Sequence, residues 1–208
     1  MEDQAVLAKL KETFAPDGAA EREHNARPDS AGFGLIHYSL VTNLRPERVL
    51  VIGSRHGYVP SLLALALKAN GSGTVDFVDA NYSDAKDGAQ IAFGGVENWH
   101  GDAAGRFACF GLRDVVNVHV QRSSEFFTQC SGKYGYIYLD GNHSYEGCRY
   151  DFEQSLLISE PDALIVLHDV AVDHPTFGVK RLFSELEENL YNKILIPAWP
   201  GLGIIQRK

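Results

Sequence analysis

Two stretches of this 208-residue chain place ionisable side chains where a fold can use them. In YGYIYLDGNHSYEG, Asp140 and His143 stand three residues apart, and in DALIVLHDV, His168 adjoins Asp169. Carboxylates hold cations and accept hydrogen bonds from hydroxyls, and an imidazole exchanges a proton near neutral pH. In both stretches the acid follows an apolar run, rich in Ile, Val, Leu and Tyr and too short for a typical helix, that reads as a buried parallel strand. The carboxyl ends of such strands deliver side chains into a binding crevice. A strand-end Asp also serves as a helix cap, but DGNHSYEG concentrates more ionisable chemistry than a cap requires. For His143, a structural hydrogen bond competes with a proton-transfer role. Adjacent residues of a regular strand face opposite sides, so His168 and Asp169 reach one site only if the strand ends between them.

A second kind of signal lies upstream. RVLVIGSRHGYVPSLLALAL reads as a strand, Gly53, three residues, Gly57 and an apolar helix. The glycines permit a tight turn and close backbone approach, and the helix N-terminus favours an anion, although a plain strand-turn-helix joint has the same glycines. The GxxxG spacing matches neither GxGxxG nor a phosphate loop ending in GK[ST]. The next strand, TVDFVDAN, ends in Asp79, which alone reads as a ribose-binding acid or a cap and, beside the glycine turn, favours ribose. Asp76, earlier on that strand, reads as a solvent-edge residue.

These residues need elements to hold them. Helices are expected over residues 2–14 and 31–44, the second capped by Asp29 or Ser30, with APDGAAEREHNARPDS between them as a mobile connector. After Pro46 the chain alternates strand and helix. The strands are RVLVIG, TVDFVDA, VVNVHV, the Asp140 run, the Asp169 run, and two closing strands near KILIP and LGIIQR. The helices lie over YVPSLLALALKAN, SSEFF, EGCRYDFEQSLLI and VKRLFSELEENL. The less regular segment from Asn81 to Leu112 is expected to hold one or two helices and a loop over the site. This alternation implies an α/β, doubly wound, mostly parallel sheet with right-handed crossovers.

Composition sets outer bounds. At 22.9 kDa, 45% hydrophobic and 22% charged, the chain suits one globular domain, residues 1–208, with 1–45 a helical N-terminal extension and 46–208 the core. A net charge of -8 without a Lys/Arg cluster argues against nucleic acid. No apolar run approaches the roughly 18 residues of a membrane span, and the amphipathic start MEDQAVLAKLKETF does not read as a signal peptide, so a cytoplasmic location is expected. Cys109, Cys130 and Cys148 form no CxxC pair and read as reduced thiols; Cys148 reads as a small, partly buried residue of a helix.

With the glycine turn, Asp79, DGNHSYEG and LHDV in order, residues 33–208 resemble the class I S-adenosylmethionine-dependent methyltransferases. More narrowly, they resemble the metal-dependent O-methyltransferases of the catechol and macrolide-sugar types. GVKRLFSEL and GLGIIQR look like that group's final helix and last strand. The resemblance implies a Rossmann-like sheet of seven strands with an antiparallel strand near the C-terminus. It implies that Gly53, Ser54 and Gly57 lie along the amino-acid end of S-adenosylmethionine, that Asp79 holds the ribose, and that Ser123, with Ser124 beside it, faces adenine unless either serine is only a helix cap. Asp140 would touch the cofactor and be the first ligand of a divalent metal, Mg or Mn, with Asp169 the second and His168 a further candidate. His143 stands where the sugar enzymes place a histidine base. The acceptor would be a hydroxylated small molecule and the assembly a possible homo-oligomer. Where the group often has an acid two residues before the first glycine, this chain has Val51, so a tether near the methionine end is absent or another residue substitutes. Methyl transfer without metal, and a non-catalytic cofactor-binding protein on a degenerate scaffold, are the competing readings. Asp173, His174, Tyr58, Trp99 and His100 read as loop or packing residues that could line an acceptor pocket.

Overall fold

The computed structural model describes residues 4–80, 99 and 102–208. Seven strands form one sheet: β1 (Arg48–Gly53), β2 (Thr74–Asp79), β3 (Val116–Val120), β4 (Tyr134–Asp140), β5 (Ser159–His168), β6 (Tyr191–Ile196) and β7 (Leu202–Arg207). Their order is β3-β2-β1-β4-β5-β7-β6, with β1 to β5 parallel and β7 antiparallel to both β5 and β6. This is the doubly wound, Rossmann-like sheet with an antiparallel C-terminal strand that the alternation and the resemblance implied.

Both faces of the sheet are covered, which is why its central strands are continuously apolar. Val49 and Val51 of β1 join one buried cluster with residues of α1 (Gln4–Phe14), α3 (Phe33–Leu44) and α4 (Tyr58–Asn70). Leu50 and Ile52 join the other, with α6 (Ser123–Gln129), α7 (Tyr145–Ile158) and α8 (Val179–Glu185). The alternation within one strand is the two-residue period of a pleated sheet. Among the described residues of the Asn81–Leu112 segment, α5 spans Gly105–Ala108; residues 81–98, 100 and 101, His100 included, lie outside the described set.

Three expectations are corrected. The segment read as a connector contains a 3-10 turn (Pro16–Gly18) and α2 (Ala19–His24), whose Ala19, Ala20 and His24 are buried. Its alanines and histidine face the core, a packing that Pro, Gly and Asp in the composition conceal. Neither Asp29 nor Ser30 caps α3: Gly32 occupies that position without a side-chain cap, and Ser30 Oγ accepts from the Gly32 amide at 3.2 Å. Asp76 is not at a solvent edge. It is buried, with Oδ2 accepting from Arg48 and the Tyr134 hydroxyl, each at 2.8 Å, and Oδ1 from Asn117 at 3.2 Å and His119 at 2.9 Å. Burial alone would raise its carboxyl, but the hydrogen bonds from His119, Arg48, Tyr134 and Asn117 hold it well below the usual carboxylate range. The network joins β1, β2, β3 and β4.

The three cysteines are free. Burial pushes the Cys148 thiol up to about 12, so it is a packing residue and not a nucleophile. No helix among the described residues is long and apolar enough to cross a membrane.

Candidate active site

The site forms at the carboxyl ends of β1, β4 and β5. Gly53 pairs with Asp140 in the sheet, so the glycine turn and the first acid are neighbours across one strand boundary. A Cβ at Gly53 would lie 2.1 Å from the Asp140 carbonyl oxygen, and its φ of +79° is one only glycine adopts freely. The turn stays left-handed through Ser54 (φ 104°) and Arg55 (φ 43°), and Gly57 (φ 89°) opens α4 with no side-chain cap. Positive φ at two non-glycine residues stores strain of a kind found at functional turns. The Ser54 residue is buried and its hydroxyl has no hydrogen-bond partner among the described residues.

β5 ends at His168, and Asp169 turns left-handed with φ 62°. The break falls between the two residues, which is the condition under which both aim at one place. His168 Nδ1 lies 3.2 Å from Asp140 Oδ1 and 3.1 Å from Asp169 Oδ1, ion-pair contacts without directed hydrogen-bond geometry. Its Nε2 donates to the Glu23 carbonyl at 2.6 Å, which places the N–H there. From the other side, His143 Nε2 lies 3.0 Å from Asp169 Oδ2 and 3.5 Å from Asp140 Oδ1. The His143 ring stacks on Phe177, with centroids 4.6 Å apart and planes 7° apart, and its carbonyl accepts from Gly178 N at 2.7 Å.

The charges in this cluster support one another. Burial would lower both imidazoles, yet Asp140 and Asp169 raise His143 to about 9 and His168 well above its ordinary range. Burial would raise both carboxyls, and His168 and His143 hold them low. His24 and His37 nearby are driven by burial, with the repulsion of His168 added, to about 3 against the attraction of Asp140, so they are neutral core imidazoles. Asp140 does not cap α7; Ser144 does, accepting from Gly147 N at 3.1 Å. That removes the ordinary explanation for an acid at this strand end.

A divalent cation fits the donor set. Asp140, His143 and Asp169 each offer one ligand atom, all within 4.8 Å of one another. Two carboxylate oxygens and an imidazole suit Mn or a later transition metal, whereas the oxygens alone suit Mg. His168, expected as a further ligand, instead contacts both carboxylates through Nδ1 and holds the Glu23 carbonyl through Nε2. The glycine turn fits an adenosyl amino acid through its open helix terminus and the orphaned Ser54 hydroxyl.

Asp79 closes β2, and its carbonyl accepts from Gln121 N at 3.1 Å. Ser123 opens α6 and bonds the buried Asp151 carboxyl; Ser124 is exposed. Tyr58 and Trp99 are core residues, their polar atoms donating to the carbonyls of Ala31 and Arg55. Asp173 and His174 are exposed on their loop, paired with Lys180 and Thr176. Sequence reasoning missed Glu23 and Phe177, for which no motif gives a signal, and Asp151.

Burial raises Asp151 to about 6, against a smaller opposing effect of Ser123. The folded state therefore holds this proton more tightly than the unfolded state, and folding loses stability as pH rises from about 4 to 6. A shift of roughly two pKa units corresponds to about 3 kcal/mol. Asp151→Asn is expected to raise stability by about 1–3 kcal/mol at pH 8 and to leave it unchanged at pH 3.5, as denaturant titrations at the two pH values would reveal. An equal effect at both would contradict the assignment.

Comparison with known proteins fixes the family. The family described as "Methyltransferase domain" matches residues 50–170, which run from β1 past the Asp169 strand end. The chain belongs to this methyltransferase-domain family. Solved structures share the fold of the whole chain. The O-methyltransferase TomG of Streptomyces achromogenes, solved with SAM, is 22% identical, with TM-score 0.65 over 100% of this chain and 90% of that one. A Bacillus cereus O-methyltransferase in complex with SAH is 20% identical, with TM-score 0.70 over 100% and 92%. A putative caffeoyl-CoA O-methyltransferase of Staphylococcus aureus is 14% identical, with TM-score 0.68 over 100% and 93%. A relative in sequence, the uncharacterized protein y4gI of Sinorhizobium fredii, is 24% identical over 178 residues. The match covers 80% of this chain but only 18% of that relative's length.

Proposed function

We propose that this methyltransferase moves the methyl group of S-adenosylmethionine to a hydroxyl of a small molecule such as a sugar or natural product, assisted by a divalent cation, Mg or Mn, at Asp140 and Asp169. The observation that carries the reading is the juxtaposition of Gly53 and Asp140 on adjacent strand ends, which sets a cofactor turn against an acid and imidazole cluster. The family match and the SAM- and SAH-bound structures of the same fold support it.

Methyl transfer from a sulfonium is an in-line displacement, so the acceptor oxygen must be aligned with the methyl and lose its proton. When bound, the cation supplies Lewis-acid activation of the hydroxyl and positive charge that lowers the proton affinity of the neighbouring imidazole. His143 is the base in this reading: its Nε2–H is held by Asp169 Oδ2, so it receives the hydroxyl proton at Nδ1, and Phe177 fixes the plane of its ring. Asp169 orients that ring, and His168, anchored on the Glu23 carbonyl, keeps the Asp140 and Asp169 carboxylates in place. Asp79 accepts the ribose hydroxyls, and Gly53, Ser54 and Gly57 take the methionine end. Ser123 reaches the adenine only by sharing its hydroxyl with Asp151.

One observation favours a second reading. The 3.0 Å contact of His143 Nε2 with Asp169 is the acid–imidazole pairing that serves as a base without metal. Retained turnover after exhaustive chelation would select it. The cofactor assignment is tested at Asp79: Asp79→Ala is expected to weaken S-adenosylhomocysteine binding by about thirtyfold or more by calorimetry, because charge-assisted hydrogen bonds to a ribose are lost. Unchanged affinity would remove Asp79 from the site.

A further inference from the structure

Val51 is fully buried in the apolar cluster, so the position where related enzymes often carry an acid has nothing to offer the cofactor's amino-acid end. The fold brings a different acid there. Glu23, in the last turn of α2, accepts from Arg55 Nη1 at 2.6 Å, and Arg55 lies inside the glycine turn between Gly53 and Gly57. The Glu23 backbone is fixed independently, because its carbonyl accepts from His168 at the end of β5. Both charged side chains keep about a third of their surface exposed, at 34% for Arg55 and 32% for Glu23. Next to Arg55 in the chain, the Ser54 hydroxyl is buried without a hydrogen-bond partner among the described residues, near the start of the 13-residue α4, which has no side-chain cap.

We infer that Glu23 and Arg55 form a clamp for the zwitterionic methionine end of the cofactor. Glu23 accepts from the α-ammonium, Arg55 donates to the α-carboxylate, and the Ser54 hydroxyl supplies a further bond. The inference rests on the S-adenosylmethionine reading and assigns the tether missing at Val51 to the N-terminal extension. Its chemistry is complementary: an ion pair presents one charge of each sign, and an α-amino acid presents the same two in reverse. Glu23 also lies close enough to Asp140 to be repelled by it, and both Arg55 and an incoming ammonium relieve that repulsion.

The experiment is calorimetric titration of the full chain and of its Glu23→Gln and Arg55→Gln variants with two ligands. S-adenosylhomocysteine carries the zwitterion; 5′-methylthioadenosine carries the same adenosine and sulfur without it. Each variant should lose about tenfold or more in affinity for S-adenosylhomocysteine, as for a lost charge-assisted contact, and stay within about twofold for methylthioadenosine. Wild-type-like affinity for S-adenosylhomocysteine in both variants overturns the clamp. So does an equal loss for both ligands, which would mean a distorted turn. If the wild-type chain binds neither ligand, the cofactor reading itself fails and the clamp falls with it.

Discussion

Asp140→Ala should lower methyl transfer on the order of a thousandfold, on any acceptor that the wild-type chain turns over, while S-adenosylhomocysteine affinity stays within about threefold. The asymmetry follows from geometry. The Asp140 backbone pairs with Gly53 and survives the substitution, so the glycine turn keeps its neighbour. The carboxylate does not survive, and it is what His168 Nδ1, His143 Nε2 and the Tyr138 hydroxyl converge on, at 3.2, 3.5 and 3.1 Å. Asp140→Asn keeps the shape but not the charge, and should lose nearly as much. Exhaustive chelation should match either variant, with activity restored by Mn or Mg. Radiolabelled methyl transfer and calorimetry measure the two quantities separately. A loss under tenfold would take the carboxylate out of the mechanism.

The second large effect is on stability. Asp76→Ala should destabilise the fold by about 3–5 kcal/mol, because removing one partner of a buried, hydrogen-bonded ion pair leaves the others uncompensated. Here Arg48, Tyr134, Asn117 and His119 all lose their acceptor, and with it the polar tie across four parallel strands. Asp76 titrates below its unfolded value, so its contribution is complete above the ordinary aspartate range and fades only in strong acid. For a chain of this length the loss corresponds to roughly 10 °C in Tm, which calorimetry resolves. A shift of under about 2 °C would mean that the network does not hold the sheet.

Much of the fold was legible because buried parallel strands have a signature that does not depend on distant residues. RVLVIG and YGYIYLD are apolar at consecutive positions since each face meets its own helix layer. Gly53 was legible for a related reason, since a backbone that requires positive φ at a strand end selects glycine locally. Asp140 and Asp169 could be paired because parallel strands end on one side of the sheet.

The errors have a common origin. Asp76 looks like any strand acid until four partners, up to 58 residues away, are folded around it. The segment around α2 looks like a connector because Pro, Gly and Asp punctuate it, while the contacts that bury Ala19, Ala20 and His24 come from elsewhere. Ser123 looks available to a ligand until Asp151, on the next helix, uses its hydroxyl.

The amino-acid sequence by itself determined the strand-helix alternation, the glycine turn and the acids at the ends of β4 and β5, since these follow from periodicity and backbone sterics within short windows. Only the tertiary structure decided which imidazole meets which carboxylate and that Glu23 reaches His168 across 145 residues. Those contacts depend on a left-handed turn at Asp169 and on the docking of α2, and neither is set by the residues on either side.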